Sequence, residues 1–442
     1  VLDIQVKPGF LDKWYGDIEA QYQTKKRYSG AITASRLSDH DPHMIYAQAN
    51  NANRYIDKTI GSTMNRNIDG DGKSQYGSYN YQHNWQTKGT QQYTSNRFNI
   101  SANMGHSDGW NSGKASTETF FPNQEHTFGV KDTYRYKHNL KPQLEAKLFA
   151  YTDSANTIDV NVKASYEKAR KSYEEKSASY GYQPDQFAYH SLKEALGAKP
   201  GDALYDRLIT RDSEYESTDM QQRGLNISYI WKHFIGKKGS FMLGGYTNLS
   251  GTNEDTHTNH DVEYLREQRN EKLWQFYNRS EHNLETQFGA SFDYWLGKKV
   301  YFNVFDNVRL SRTRIARNFF SDTDEQNVAN GTPTTADPAN TTRRLTHKWT
   351  NELTVKSTIT PVKALMIMPK FSWNYCREKT DYHYGPLDTT AVRTSNTYEP
   401  SIFLKWKMSR VRNMDLAFAY NTTVPDLVST LGYRNTIDPL HI

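Results

Sequence analysis

The sequence predicts an all-β fold, a transmembrane antiparallel up-and-down β-barrel, and three observations carry that prediction. The first is alternation. Between Gly224 and Arg314, Leu225, Ile227, Tyr229 and Trp231 fall on one face, with Asn226, Ser228 and Lys232 on the other. The second is the spacing of the turns. A tight turn at Ile235–Gly239, a polar loop at 251–281, a tight turn at Gly297–Lys299 and a loop at 317–344 follow one another. Short periplasmic turns alternating with long outside loops are the pattern of outer-membrane barrels. The third is aromatic content: 31 Tyr, 19 Phe and 9 Trp suit rings of side chains at two membrane interfaces.

Composition fits the same class. Only 36% of the 442 residues are hydrophobic, and no stretch approaches the length of apolar chain that a transmembrane helix needs. A barrel accepts this, because only alternate residues of a short band must face lipid. The charge of +6 comes from 55 basic and 49 acidic residues spread along the chain without a basic block, which argues against a nucleic-acid partner. The one cysteine, Cys376, excludes an intramolecular disulfide framework and any CxxC metal site.

In chain order, Val1–Lys7 alternates and ends at Pro8–Gly9; Gly16–Thr24, Arg27–Leu37 and His43–Asn51 then form a meander. A long polar loop is expected at 52–90, a strand at Asn96–His106, a glycine-rich turn at 107–113, and one strand with a short loop within 114–139. Leu144–Ala150 and Val160–Tyr166 read as strands joined at Ser154–Asn156. The longest loop, 176–221, carries a helix-like piece at Asp185–Leu196, with Phe187, Leu192 and Leu196 on one face. Beyond loop 317–344, strands are expected at 347–360, 364–378, 397–409 and 414–422, with turns at 361–363 and 410–413 and a loop at 379–395. About fifteen strands result, and an odd count reads as part of a larger barrel, since single-chain bacterial barrels use even numbers.

Two stretches carry a family resemblance. "VLDIQVKPGFLDKWYGDIEAQYQTKKRYSGAITASRL", followed by "IYAQANNAN", resembles the plug-to-barrel junction of TonB-dependent outer-membrane receptors of the SusC-like and related families. "VPDLVSTLGYRNTIDPLHI" is similar to a late barrel loop of the same families. The resemblance implies that residues 1–10 end a plug domain and that 11–442 are barrel with long extracellular loops. It implies roughly 22 strands in the whole barrel, an even number as single-chain barrels require. It further implies import of a bulky or scarce nutrient (an oligosaccharide, a peptide or a metal chelate) across the cell outer membrane. The partners it implies are membrane lipid and lipopolysaccharide, the TonB energy-coupling complex acting through the plug, and a surface lipoprotein lid. No cofactor is expected.

Enzyme signatures are absent: there is no G-x-S-x-G, H-E-x-x-H or P-loop sequence, so no catalytic residue is assigned. Glu174 and Glu175 are adjacent on a strand and point to opposite faces, so they form no facing carboxylate pair. Asp69-Gly-Asp-Gly72 has a calcium-loop core but Asn80 in place of the closing glutamate, and it reads as a turn. His257, His260 and Asp261 could ligate a metal, yet a solvated polar loop is the better account, and no metal site is assigned. Lys168, Arg170, Lys171 and Lys176 could meet lipopolysaccharide phosphates. Tyr79, Trp85, Trp274 and Tyr277, where polar loops meet strands, are the candidate ligand-binding residues, because rings with polar handles stack and hydrogen-bond with sugars and peptides.

Two function classes follow: an outer-membrane transporter, and a non-transporting surface β-protein that binds carbohydrate or acts as an adhesin. The polar face of Glu352, Thr354, Lys356 and Thr358 opposite Leu353, Val355 and Ile359 favours the first, since a sandwich would keep a dry core along each strand.

Overall fold

A computed structural model describes residues 12–24, 26–38, 40–51, 71–86, 96–120, 126–181, 191–408, 412–425 and 427. Fifteen strands form one antiparallel sheet in which each strand pairs with its neighbours in sequence. They are β1 (Trp14–Gln23), β2 (Arg27–Arg36), β3 (His43–Asn50), β4 (Asp71–Trp85), β5 (Asn96–Phe120), β6 (His126–Tyr151) and β7 (Asn156–Tyr180). A helix α1 (Ser191–Gly197) precedes β8 (Leu208–Ile235), β9 (Gly239–Tyr264), β10 (Arg269–Leu296) and β11 (Val300–Asp322). A separate two-stranded hairpin, β12 (Val328–Ala329) and β13 (Thr332–Pro333), leads to β14 (Thr342–Val362), β15 (Leu365–Tyr384), β16 (Leu387–Lys407) and β17 (Asn413–Ala419). The strand count and the up-and-down order agree with the sequence reading.

Strand lengths depart from it. The 28 residues of β8 run about 90 Å at about 3.3 Å per residue, whereas a tilted strand crosses a bilayer with about 9–11 residues. The expected loop at 251–281 is therefore mostly ladder. Gly251 pairs with His282 and Tyr264 with Arg269, leaving a turn at 265–268. The glycine-rich turn at 107–113 is continuous β5, with Gly109 opposite Lys137 and Gly113 opposite Thr133. The loop at 379–395 is the paired end of β15 and β16, which turns at Gly385. Within 52–90, residues 71–85 are β4; within 176–221, β7 runs to Tyr180 and β8 starts at Leu208; within 317–344, only 323–341 leave the main sheet. In each case backbone groups find partners in the neighbouring strand although the side chains are polar on both faces. Residues 1–11, the Asp69 end of the DGDG motif and the segment after Leu427 lie outside the described residues.

Tight turns at 152–155, 236–238, 297–299 and 363–364 share one end of the sheet, and short turns at 265–268 and 385–386 lie at the other. Gly236 (φ 56°) and Gly297 (φ 70°) take the left-handed conformation these turns need, which costs a residue with a Cβ about 1–2 kcal/mol. At the opposite end α1 covers a small apolar core of Phe128, Val130, Ala178, Tyr180, Ala195, Ala198 and Leu208. Of the helix expected at Asp185–Leu196, residues 185–190 lie outside the described residues, and 191–196 lie in α1, held by burial of Ala195 on β6 and β7 rather than by its seven residues of helix propensity.

Candidate functional site

Register divides the sheet into two chemically distinct faces. Leu225, Leu249 and Leu284 stand in one row across β8, β9 and β10. Val304, Val355 and Phe371 stand in another across β11, β14 and β15. Leu249 is 42% exposed, Leu284 41%, Val355 42% and Phe371 44%, so this apolar face has no protein cover. Rings bound the band. Trp231 meets Phe241 with centroids 6.0 Å apart at the tight-turn end, and Trp349 meets Tyr375 at 5.5 Å at the other. Water does not leave such a band bare. Its two rings and its exposure are those of strands facing hydrocarbon.

The opposite face carries paired charges. Arg309 lies 3.6 Å from Glu285, which also accepts from Tyr246. Arg393 reaches Glu378 at 3.1 Å, and Arg279 reaches Glu281 at 2.7 Å. Farther from the tight turns, Tyr277 donates to Glu254 at 3.1 Å, and the Arg317 guanidinium lies 5.1 Å from the Tyr277 ring centre. Burial and the neighbouring Glu254 charge raise the Tyr277 hydroxyl pKa.

An acidic cluster crosses β7, β8 and β9 on the same face. Glu175 is in register with Glu214, and Glu214 with His260. Lys131 lies 2.6 Å from Glu175, which also accepts from Tyr173, and His260 lies 2.9 Å from Asp212. Burial, aided by the Glu175 charge, pushes the Tyr173 hydroxyl up to about 12. Burial also raises the Glu214 carboxyl, and Glu175, Asp212 and Glu216 add to the rise. Burial would raise Glu175 as well, but hydrogen bonds from Lys131 and Tyr173 hold it below the usual carboxylate range. Glu174 and Glu175 do point to opposite faces, yet Glu175 has a facing carboxylate on the next strand. That partner lies about 40 residues away and is fixed only by register.

The four sequence-predicted aromatic residues do not converge, and none sits in a loop. Tyr79 and Trp85 are on the apolar side of β4: the Tyr79 hydroxyl is 3.0 Å from His43 Nδ1, and Trp85 stacks on His83 at 5.7 Å. Trp85 pairs with Asn96, which places it at the tight-turn end of the sheet. Trp274 also belongs to the apolar side, with Lys272 Nζ 5.8 Å from its ring centre. Only Tyr277 faces the charged side. The pleat likewise splits the histidine group, with His257 and Asp261 on one face and His260 on the other. Among the described residues, the cluster that does assemble is His106, Asp108 and His138, whose ligand atoms lie within 4.8 Å of one another. The i, i+2 spacing of His106 and Asp108 was the one sequence signal for it.

The faces and their order define a class: an all-β, membrane-spanning sheet protein of the outer-membrane kind, with an apolar side toward lipid and a charged side toward the lumen. No family model and no curated protein matches the chain. Solved structures similar to it include the outer membrane protease OmpT from Escherichia coli, at 9% identity over 70% of this chain and 96% of that one, with a TM-score of 0.20. The ferric-catecholate import receptor Fiu from E. coli K12, open form, is similar at 11% identity over 91% of this chain and 71% of that one, with a TM-score of 0.24. The siderophore receptor PirA from Acinetobacter baumannii follows at 9%, 90%, 75% and 0.18. Scores of this size do not describe superposable shapes.

Proposed function

We propose that the chain forms wall of an outer-membrane β-barrel that imports a bulky or scarce nutrient (an oligosaccharide, a peptide or a metal chelate), energised by the TonB complex through a plug and performing no catalysis. The observation that carries this reading is the pairing of an exposed apolar band with a lumen face of partnered charges. A surface-binding sandwich would bury the apolar side instead. Lipid admits no open sheet edge, so the β1 and β17 edges close in the membrane, with each other or with further strands. Ligand contacts belong on the charged face above the band, where Tyr277 and Arg317 present a ring and a cation side by side. Tyr79, Trp85 and Trp274 serve as interface rings.

A lipopolysaccharide partner has support on the lipid side. Arg312, His347 and Lys379 form one exposed row across β11, β14 and β15, a step above Leu310 and Trp349. Arg314, Arg343 and Arg377 flank it, and these three and Arg312 form no ion pair among the described residues. Arg279, Arg309 and Arg393 on the lumen face have glutamate partners; the four on the lipid side await phosphate. The test of the reading is reconstitution of the protein in vesicles with swelling and uptake assays against sugars, peptides and ferric chelates. Uptake that requires TonB supports import; surface binding without uptake of any of them overturns it.

A further inference from the structure

At the upper margin of the apolar band, His106 and Asp108 of β5 meet His138 of β6. Asp108 is in register with His138, and His106 precedes it by two residues on the same face. Asp108 Oδ1 is 2.7 Å from His138 Nδ1, and Asp108 Oδ2 is 3.5 Å from His106 Nε2. The imidazole rings stand edge-on with centroids 5.1 Å apart. All three side chains are largely buried, with 25%, 22% and 29% of their surface exposed for His106, Asp108 and His138.

A carboxylate–imidazole contact by itself accounts for Asp108 and His138, which Tyr136 joins by donating to Asp108 at 3.1 Å. It does not account for His106, whose Nδ1 is buried without a hydrogen-bond partner among the described residues. A buried ring nitrogen left unpaired costs folding free energy. The other ring nitrogen, Nε2, faces the Asp108 carboxylate, and a second imidazole stands edge-on beside the ring. Zinc-type ions bind nitrogen and oxygen at about 2.0–2.2 Å, so ligand atoms sit roughly 3.4 Å apart around a tetrahedral ion. The set spans no more than 4.8 Å and closes on such an ion by small side-chain rotations. Two imidazoles with one carboxylate suit a first-row transition cation rather than calcium or magnesium.

We propose that His106, Asp108 and His138 bind one divalent first-row transition cation of the zinc type, with the fourth position open to water. The ion clips β5 to β6 where the strands leave the lipid band. Two cations limit its affinity: Lys73 is in register with Asp108 from β4, and Arg170 is in register with His138 from β7, although Arg170 also reaches Asp219 at 3.5 Å. Both cations weaken binding of a further cation, and Lys73→Gln should tighten it.

The test is calorimetric titration of zinc into the full chain, refolded in detergent and stripped with chelator. One saturable site per chain is expected. His106→Gln and His138→Gln should each weaken it at least about tenfold, the low end of what loss even of an outer-shell partner does. His126→Gln, which removes a histidine paired with Glu118 at 3.1 Å, should leave zinc binding unchanged. Refolding of each variant is read separately from its heat-dependent gel mobility, and Asp108→Asn supplies a third ligand variant should a histidine variant not refold. Absence of stoichiometric zinc binding in wild type, or equal affinity in wild type and the refolded ligand variants, overturns the site. Neither outcome depends on whether the barrel transports.

Discussion

The Tyr277 hydroxyl donates to Glu254 across the β9–β10 ladder at 3.1 Å while Arg317 from β11 stands 5.1 Å from the centre of its ring. Three adjacent strands thus supply an anion, a ring and a cation to one patch of the charged face. Hydrogen bonds to charged groups contribute about 1.5–3 kcal/mol. Tyr277→Phe should therefore loosen the patch without unfolding the sheet, and it should lower ligand affinity about tenfold in binding assays on refolded protein. Trp85→Ala, at the other end, should leave affinity unchanged. Equal effects of the two would remove the patch from the ligand surface.

Facing can be measured by substitution into the band. Arginine at Ile227, on the apolar face, should cost ~2–4 kcal/mol of bilayer folding stability. The same change at Ser228, its chain neighbour on the charged side, should cost far less. Refolding titrations in lipid vesicles give both values, and similar costs would contradict the two-faced sheet.

Orientation follows from the ladder. The turns at 236–238 and 265–268 lie at opposite ends of β9. A tag inserted at Arg266 should be labelled on intact cells and one at Lys237 should not. The reverse pattern would invert the sheet in the membrane.

The β7–β8 acidic pair should make the outer part of the sheet pH-sensitive. Glu214 has a raised folded pKa, from burial and then its acidic neighbours, so ionising it as pH rises costs folded-state stability. Glu175 has a lowered one, so its contribution is present above the ordinary glutamate value and is lost as pH falls through its folded value. Glu214→Gln should slow amide hydrogen exchange along 208–216 at pH 7 and make no difference below about pH 4, where both states hold the proton. Slower exchange at both pH values would mean that packing, not charge, is responsible.

Removing the unpaired arginines tests the lipid partner. Arg312→Ala combined with Arg377→Ala should reduce the lipopolysaccharide that copurifies with the protein, while Arg309→Ala, on the lumen face beside Glu285, should not. Unchanged copurification in the double variant would leave that row without a phosphate partner.

The sequence by itself determined the strands inside the membrane and which way their side chains point. Hydrocarbon on one side and water on the other impose a period of two on Leu225–Trp231 and on Leu353–Ile359 that survives in the bare sequence. The short turns were legible for the same local reason, because Gly236 and Gly297 mark backbone that needs positive φ. Above the band both faces meet polar surroundings, the alternation disappears, and 251–264 and 269–281 read as loop although they are strand. Only their pairing with each other and with β8 and β11 reveals them. The tertiary structure alone also decided which side chains meet. Register put Glu175 opposite Glu214 and Asp108 opposite His138, and it separated Trp85 from Trp274. A ladder joins residues by their distance along two hydrogen-bonded strands, a quantity that spacing within one chain does not contain.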